Sequence, residues 1–314
     1  MEFNYEKIKV NSIEEFYEKY EEGYLFHNIE LDGINGLDLF SFFLSLKESA
    51  SKYACLGYCY FYGYTGEISY ERAIYWFTKA IRLLDPRAEN ALGDCYYYGY
   101  GVPQDYKKAF YLYEKSALQD YAYAECNLAY CYDKAIGVKE DISKAIYWYE
   151  KAASKGITKA ECSLGSYYYY GRGVDIDYEK AFYWFNKAAE KGFFMAQRSL
   201  GLCYQYGRGV PQDYEKAFYW FEKAALQDEA FSQCSVGYFY FLGYGVMQDF
   251  KKGIYWFEKA ANNNNALAQY ALGSLYGRGL GVPCNYNKAI YWLDKAASQG
   301  VSLAKEVLDA LKRR

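Results

Sequence analysis

The chain has 314 residues, a net charge of −3 and 42 tyrosines. That charge offers no basic surface for nucleic acid, and no stretch approaches the roughly 18 apolar residues of a membrane-spanning helix. The opening MEFNYEKIKV has no apolar run behind its charges and does not read as a secretory signal; the expectation is a cytoplasmic monomer without membrane insertion.

Residues 1–51 are expected to form an N-terminal cap. Tyr24 and Phe40 fall on phases of the repeat that follows, so 11–49 can be read as a degenerate eighth hairpin, although LDGINGLD (31–38) argues for a loop inside it. From 52 to 300 the chain superimposes on itself at a shift of 36 residues. Leu56, Leu92, Leu128, Leu164, Leu200, Val236 and Leu272 share one phase; glycine follows each except at Ala129. Tyr60, Tyr96, Tyr132, Tyr168, Tyr204, Tyr240 and Tyr276 share another, and all six tryptophans (76, 148, 184, 220, 256, 292) share a third, with Leu112 in the seventh slot.

Gly207-Arg208-Gly209 precedes a helical pattern and so could cradle a phosphate. The same loop recurs at Gly99-Tyr100-Gly101, Gly171-Arg172-Gly173 and Gly243-Tyr244-Gly245, ahead of Asp105, Asp177 and Asp249. A nucleotide site needs one such loop. A series reads as a turn, with glycines ending one helix and Asp (Ser69 in the first unit) capping the next. In unit 193–228, Ala196, Leu200 and Tyr204 stripe helix A, and Gly201 allows close helix approach. Ala217, Trp220, Phe221, Ala224 and Ala225 stripe helix B. One hairpin cannot bury both stripes, so the units must stack. VSLAKEVLDALKRR (301–314) keeps Ala304 and Leu308 in phase as a lone C-terminal capping helix.

These residues resemble the Sel1-like repeat family, a relative of the tetratricopeptide repeat, whose pattern is met by Ala196, Leu200-Gly201, Tyr204, Gly207-Arg208-Gly209-Val210, Asp213, Lys216-Ala217, Trp220 and Lys223-Ala224-Ala225. The resemblance implies an all-α, right-handed α/α superhelical solenoid, and a non-catalytic adaptor or scaffold without cofactor or metal that binds a protein or peptide. A related cysteine-rich group bridges helix A to helix B, but no helix B here contains cysteine, so the nine cysteines read as reduced thiols. Cys126 and Cys162 share a phase, yet no histidine or second pair completes a metal site.

Two contrasting functions follow from the same residues. One is a dedicated inhibitor of immunity type that occludes a single enzyme. The other is a serine-type β-lactam-interacting enzyme, because Ser49-Ala50-Ser51-Lys52 spells S-x-x-K, although no S-D-N or K-T-G partner motif follows and His27 is the only histidine. Half of the tyrosines sit on scaffold phases, among them the residue before each tryptophan slot (Tyr75, Tyr111, Tyr147, Tyr183, Tyr219, Tyr255, Tyr291). Positions opposite the helix A core stripe, at Leu−2, Leu+2 and Leu+5, give a candidate partner-binding groove of Tyr58, Phe61, Tyr97, Tyr130, Tyr169, Arg198, Leu202, Tyr238, Phe241 and Tyr270. Rigid rings of this kind bury large area at low entropy cost; the competing reading packs some of them between adjacent A helices.

Overall fold

The structure, a computed structural model, describes residues 8–21, 29–31 and 35–312, and divides into two compact units, Met1–Ile176 and Asp177–Arg314. The first contains β1 (Ile8–Val10), α1 (Ile13–Glu21), β2 (Ile29–Leu31), α2 (Gly36–Ser45), α3 (Ala50–Phe61), α4 (Tyr70–Ile81), α5 (Pro86–Tyr98), α6 (Tyr106–Leu118), α7 (Ala122–Lys134), α8 (Ile142–Ser154) and α9 (Thr158–Tyr170). The second contains α10 (Tyr178–Glu190), α11 (Phe194–Tyr206), α12 (Tyr214–Ala225), α13 (Ala230–Leu242), α14 (Phe250–Asn262), α15 (Ala266–Arg278), α16 (Tyr286–Ser298) and α17 (Ser302–Lys312). Odd-numbered helices from α3 to α15 are the A helices and even-numbered ones from α4 to α16 the B helices. The fold is an all-α repeat solenoid.

Helix A meets helix B through glycine. A Cβ placed on Gly201 would lie 2.7 Å from ring carbons of Phe221, and one on Gly57 or Gly237 would overlap Phe77 or Phe257 in the same way. The ring therefore lies flat on bare backbone. Phe77, Phe185, Phe221, Phe257 and Leu293 on this phase are fully buried. The tryptophans one residue earlier are displaced by about 100° around helix B, and correct the expectation that they fill the core: Trp184 and Trp220 are half-buried, with Trp256 alone among the six buried.

The turns follow from the same economy of atoms. Asp105, Asp141, Asp177, Asp213, Asp249 and Asn285 each accept a hydrogen bond from the backbone N–H three residues on. Ser69 stands at the equivalent position but makes no side-chain capping bond, a departure from the expected cap. The first glycine of each loop ends helix A in the left-handed region, as Gly207 does at φ 65°. The second reaches across the repeat boundary. A Cβ on Gly209, at φ 73°, would lie 2.0 Å from the carbonyl oxygen of Tyr178, and one on Gly137 would meet that of Tyr106. In the third repeat Ala135 takes the first position at φ 56°.

The N-terminal segment is not a plain helical hairpin: β1 and β2 pair in parallel, Ile8 with Ile29 and Val10 with Leu31, with α1 between them in sequence. Phe40 packs edge-on against Tyr60 at 5.3 Å; Tyr24 and residues 32–34 lie outside the described residues, and the loop expected over 31–38 is shorter than that, since Leu31 ends β2 and Asn35 caps α2 from Gly36 on. Arg87 ties this segment to the repeats. Its guanidinium lies over the Tyr20 ring at 4.3 Å, donates to the Tyr20 carbonyl oxygen and to Ser51 Oγ, and pairs with buried Asp85 at 2.9 Å. At the other end, buried Ala304 and Leu308 of α17 close the apolar face left by α16.

Two stability predictions follow. Phe221→Ala should cost about 3–5 kcal/mol in denaturant unfolding, the range for a buried aromatic ring, and Trp220→Ala clearly less; equal losses would contradict the packing described. Ala135→Gly should raise stability by up to about 1 kcal/mol, because a left-handed conformation costs an L residue roughly 1–2 kcal/mol, partly offset by glycine's greater unfolded entropy.

Candidate binding face

The ten groove candidates divide between a packed layer and a surface. In the first unit Tyr58 and Tyr169 are buried, which removes them from an open groove. Tyr58 sets its edge on Phe77 at 5.1 Å, because a ring at Leu+2 reaches the neighbouring helix B. Half-buried Phe61 packs on Tyr70 and Tyr100. Tyr97 and Tyr130 are half-buried, with the Lys159 ammonium 4.6 Å above the Tyr130 ring. In the second unit Tyr238 and Phe241 pack against Phe257, Leu202 packs at the edge of the Phe221 cluster, and Tyr270 at the edge of the Leu293 cluster. Arg198 pairs with Glu229 at 3.4 Å.

Exposed side chains recur one residue further on, at Leu+6, on the end of each A helix or, in the first repeat, on its cap. They are Tyr62, Tyr98 and Tyr170 in the first unit, with Lys134, and Tyr206 and Leu242 in the second, with Arg278. Tyr98, Tyr170 and Tyr206 keep 57–70% of their surface in solvent. Each is the last helical residue before the loop, so no following turn leans back over it. The signal was present in sequence as doubled tyrosines (97–98 and 169–170) directly before the glycines. On helix B, the tyrosines expected as scaffold are also exposed. Tyr219, for example, meets Trp220 edge-on at 5.1 Å, and the Lys223 ammonium lies 4.7 Å over the Tyr219 ring and 5.3 Å over the Trp220 ring.

The motifs that could have carried catalysis are used by the fold. Ser49 caps α3 by accepting from the Lys52 N–H, and the Lys52 ammonium donates to the carbonyl oxygens of Leu44 and Leu46. Arg208 lies 5.3 Å over the rings of Tyr178 and Tyr206. Burial pushes the Cys95, Cys131, Cys203 and Cys234 thiols up to about 12 and that of Cys126 to about 11, which suppresses the reactive thiolate. Eight cysteines are buried and Cys284 is exposed.

Two acids mark the helix A side of the first unit. Asp133 is buried and saturated: it accepts from the Tyr167 hydroxyl at 2.6 Å and pairs with Arg172 and Lys134. Asp94 is half-buried, accepts from the Tyr113 hydroxyl at 2.7 Å and from Asn90 Nδ2 at 3.3 Å, and is raised to about 6 chiefly by desolvation.

The model of the Sel1 repeat matches seven times, at residues 49–83, 86–121, 122–157, 158–193, 194–229, 230–265 and 266–301. The chain belongs to the Sel1 repeat family. Among solved structures, it is similar to a protective antigen present in uropathogenic Escherichia coli strains, at 31% identity and a TM-score of 0.76, covering 96% of this chain. It spans only 59% of that antigen's length. A Sel1 repeat protein from Oxalobacter formigenes is 34% identical with a TM-score of 0.70, covering 77% of this chain and 99% of its own. A search of curated proteins found no match. Sel1 repeats commonly mediate protein–protein interaction. Among the described residues, no helix is long and apolar enough to cross a membrane.

The burial of the thiols is directly measurable. In native protein near pH 8, a thiol reagent should modify Cys284 fast and the other eight slowly, with all nine reacting in denaturant; several fast thiols in the native state would contradict the packing.

Proposed function

We propose that this Sel1 repeat chain is a non-catalytic adaptor or scaffold that holds a segment of a partner protein against the helix A side of its repeats. The observation that supports this is the exposed Leu+6 row: tyrosines and one leucine, held on helix ends, at positions where the fold requires no aromatic packing. A tyrosine on a rigid helix loses little freedom on binding, so its buried area converts into affinity more fully than that of a flexible side chain. Tyr97 and Tyr130 in the first unit, and Arg198, Leu202 and Tyr270 in the second, are half-buried on the same A helices and leave part of their surface for a partner. Lys134 adds positive charge to these positions in the first unit and Arg278 in the second, which favours register over bulk stickiness.

The test begins with capture of a partner from the source organism, followed by titration. Tyr98→Ala with Tyr170→Ala, and separately Tyr206→Ala with Leu242→Ala, should each weaken binding about thirtyfold or more, the loss of about 2 kcal/mol expected for anchor residues. Thermal melts should stay close to that of the parent, because none of these side chains fills the core. Tyr183→Ala with Tyr219→Ala serves as the control, removing equally exposed rings from helix B. Loss of binding in the control and retention in the helix A variants would overturn the proposal.

A further inference from the structure

We infer that Asp94 and the tyrosines around it form a subsite for one cationic side chain, lysine or arginine, of the bound segment; this rests on the helix A reading above. The protein supplies its own templates for such a site. Asp133, hydrogen-bonded to the Tyr167 hydroxyl, is filled by the Arg172 guanidinium, which lies 5.6 Å from the Tyr167 ring centre. Asp85 is filled by the Arg87 guanidinium, which lies over Tyr20. Asp94 with Tyr113 is a second hydrogen-bonded aspartate–tyrosine pair in the same unit, and among the described residues no arginine or lysine forms an ion pair with it.

Its present partners are neutral donors: the Tyr113 hydroxyl, and Asn90 Nδ2, whose own oxygen accepts from Asn127 at 3.0 Å. Tyr58, Tyr98 and Tyr121 are near enough to feel its charge, and Tyr98 stands in solvent beside it with Tyr97 at 4.7 Å. The nearby Lys159 ammonium lowers the Asp94 pKa, but less than desolvation raises it. The carboxylate thus remains under-compensated, and a cation entering among the rings would supply both the missing counter-charge and cation–π contact. An anion would meet the carboxylate and the negative ring faces.

The site carries a pH dependence with a definite sign. The groups facing Asp94 are Tyr58 of α3, Cys95 and Tyr98 of α5, Tyr113 of α6, Tyr121 and Cys131 at α7, and Lys159 of α9. Burial raises the tyrosines and the two thiols, so they stay neutral from about pH 5 to 8. Asp94, raised to about 6, loses its charge within that range, so affinity for a cation is present above about pH 6 and lost as pH falls through it.

The probes are acetyl-Gly-Gly-X-Gly-Gly-amide peptides with Lys, Arg, Gln or Glu at X, titrated into the full chain by NMR. At pH 7.5 the Lys and Arg peptides should saturate in the millimolar range, and the Gln and Glu peptides should bind at least tenfold more weakly. Asp94→Asn, or a fall to pH 5, should weaken the cationic peptides tenfold or more, and Tyr98→Ala several-fold. Asp94→Asn should melt no earlier than the parent at pH 7.5, since it removes a carboxylate whose charge the fold resists, and Tyr98→Ala tests the site without touching the core. Equal binding of the Gln peptide, or undiminished Lys binding by Asp94→Asn, overturns the subsite. Partner binding lost in Tyr98→Ala/Tyr170→Ala but unchanged in Asp94→Asn overturns the subsite alone and leaves the helix A reading standing. Specific Lys binding with partner binding untouched by the helix A variants overturns that reading instead.

Discussion

The contact on which everything else depends is a ring lying on bare backbone. Within a repeat, Phe221 covers Gly201, Phe257 covers Gly237 and Tyr113 covers Gly93, always twenty residues later in the chain. A side chain on any of these glycines would overlap the ring; in the third repeat the position is held by Ala129, which is itself buried. The second loop glycine acts between repeats. Gly209 against the Tyr178 carbonyl and Gly245 against Tyr214 bring each loop down on the first turn of the preceding helix B. One contact fixes the width of the hairpin and the other its step, so within each unit the positions of surface side chains follow from these two close approaches.

Because this frame is made of small residues, it was legible in sequence. The 36-residue shift, the Leu–Gly pair, the aspartate caps and the closing role of Ala304 and Leu308 all come from local chemistry that repeats without insertion. What the pattern could not resolve was rotation of a few tens of degrees about a helix. Trp220 and Phe221 are adjacent and both apolar; only the presence of Gly201 opposite Phe221 decides which of them enters the core. The same ambiguity placed buried Tyr169 among the groove residues and left out exposed Tyr170. Ser69 shows the converse limit, since a residue of the right type at a cap position need not make the bond.

Contacts between residues thirty apart were likewise beyond reach of single-helix periodicity. Buried Gln197, Gln233 and Gln269 near the start of α11, α13 and α15 bond to Gln227, Asn263 and Gln299 after the following B helices, at 2.8, 3.0 and 2.8 Å. In the first unit the same clip is charged: Glu125 meets Lys155 at 2.7 Å and Lys151 at 3.4 Å. A buried amide or acid without such a partner would be costly to bury. The clip therefore explains polar residues that a hydrophobicity pattern reads as exceptions, and it frees the helix A ends from any duty in closing the hairpin.

That freedom bears on function. Positions inside the frame tolerate little: glycine or, at Ala129, alanine where the ring lies, a small or apolar residue on either side, an amide or acid at the clip. The last residue of helix A meets none of these demands, and Lys134, Arg278 and Leu242 show that the fold accepts charge or a branched chain there as readily as a ring. Tyrosine at 62, 98, 170 and 206 is thus not dictated by packing, whereas tyrosine at 113 or 149 is. The distinction separates core-packed tyrosines from those at the helix A ends, which are exposed like the helix B tyrosines but lack their regular place in every repeat. On the helix A side the tyrosines that the scaffold does not need stand exposed, and in the first unit they include Tyr98, one turn after half-buried Asp94, whose hydrogen-bond partners are neutral.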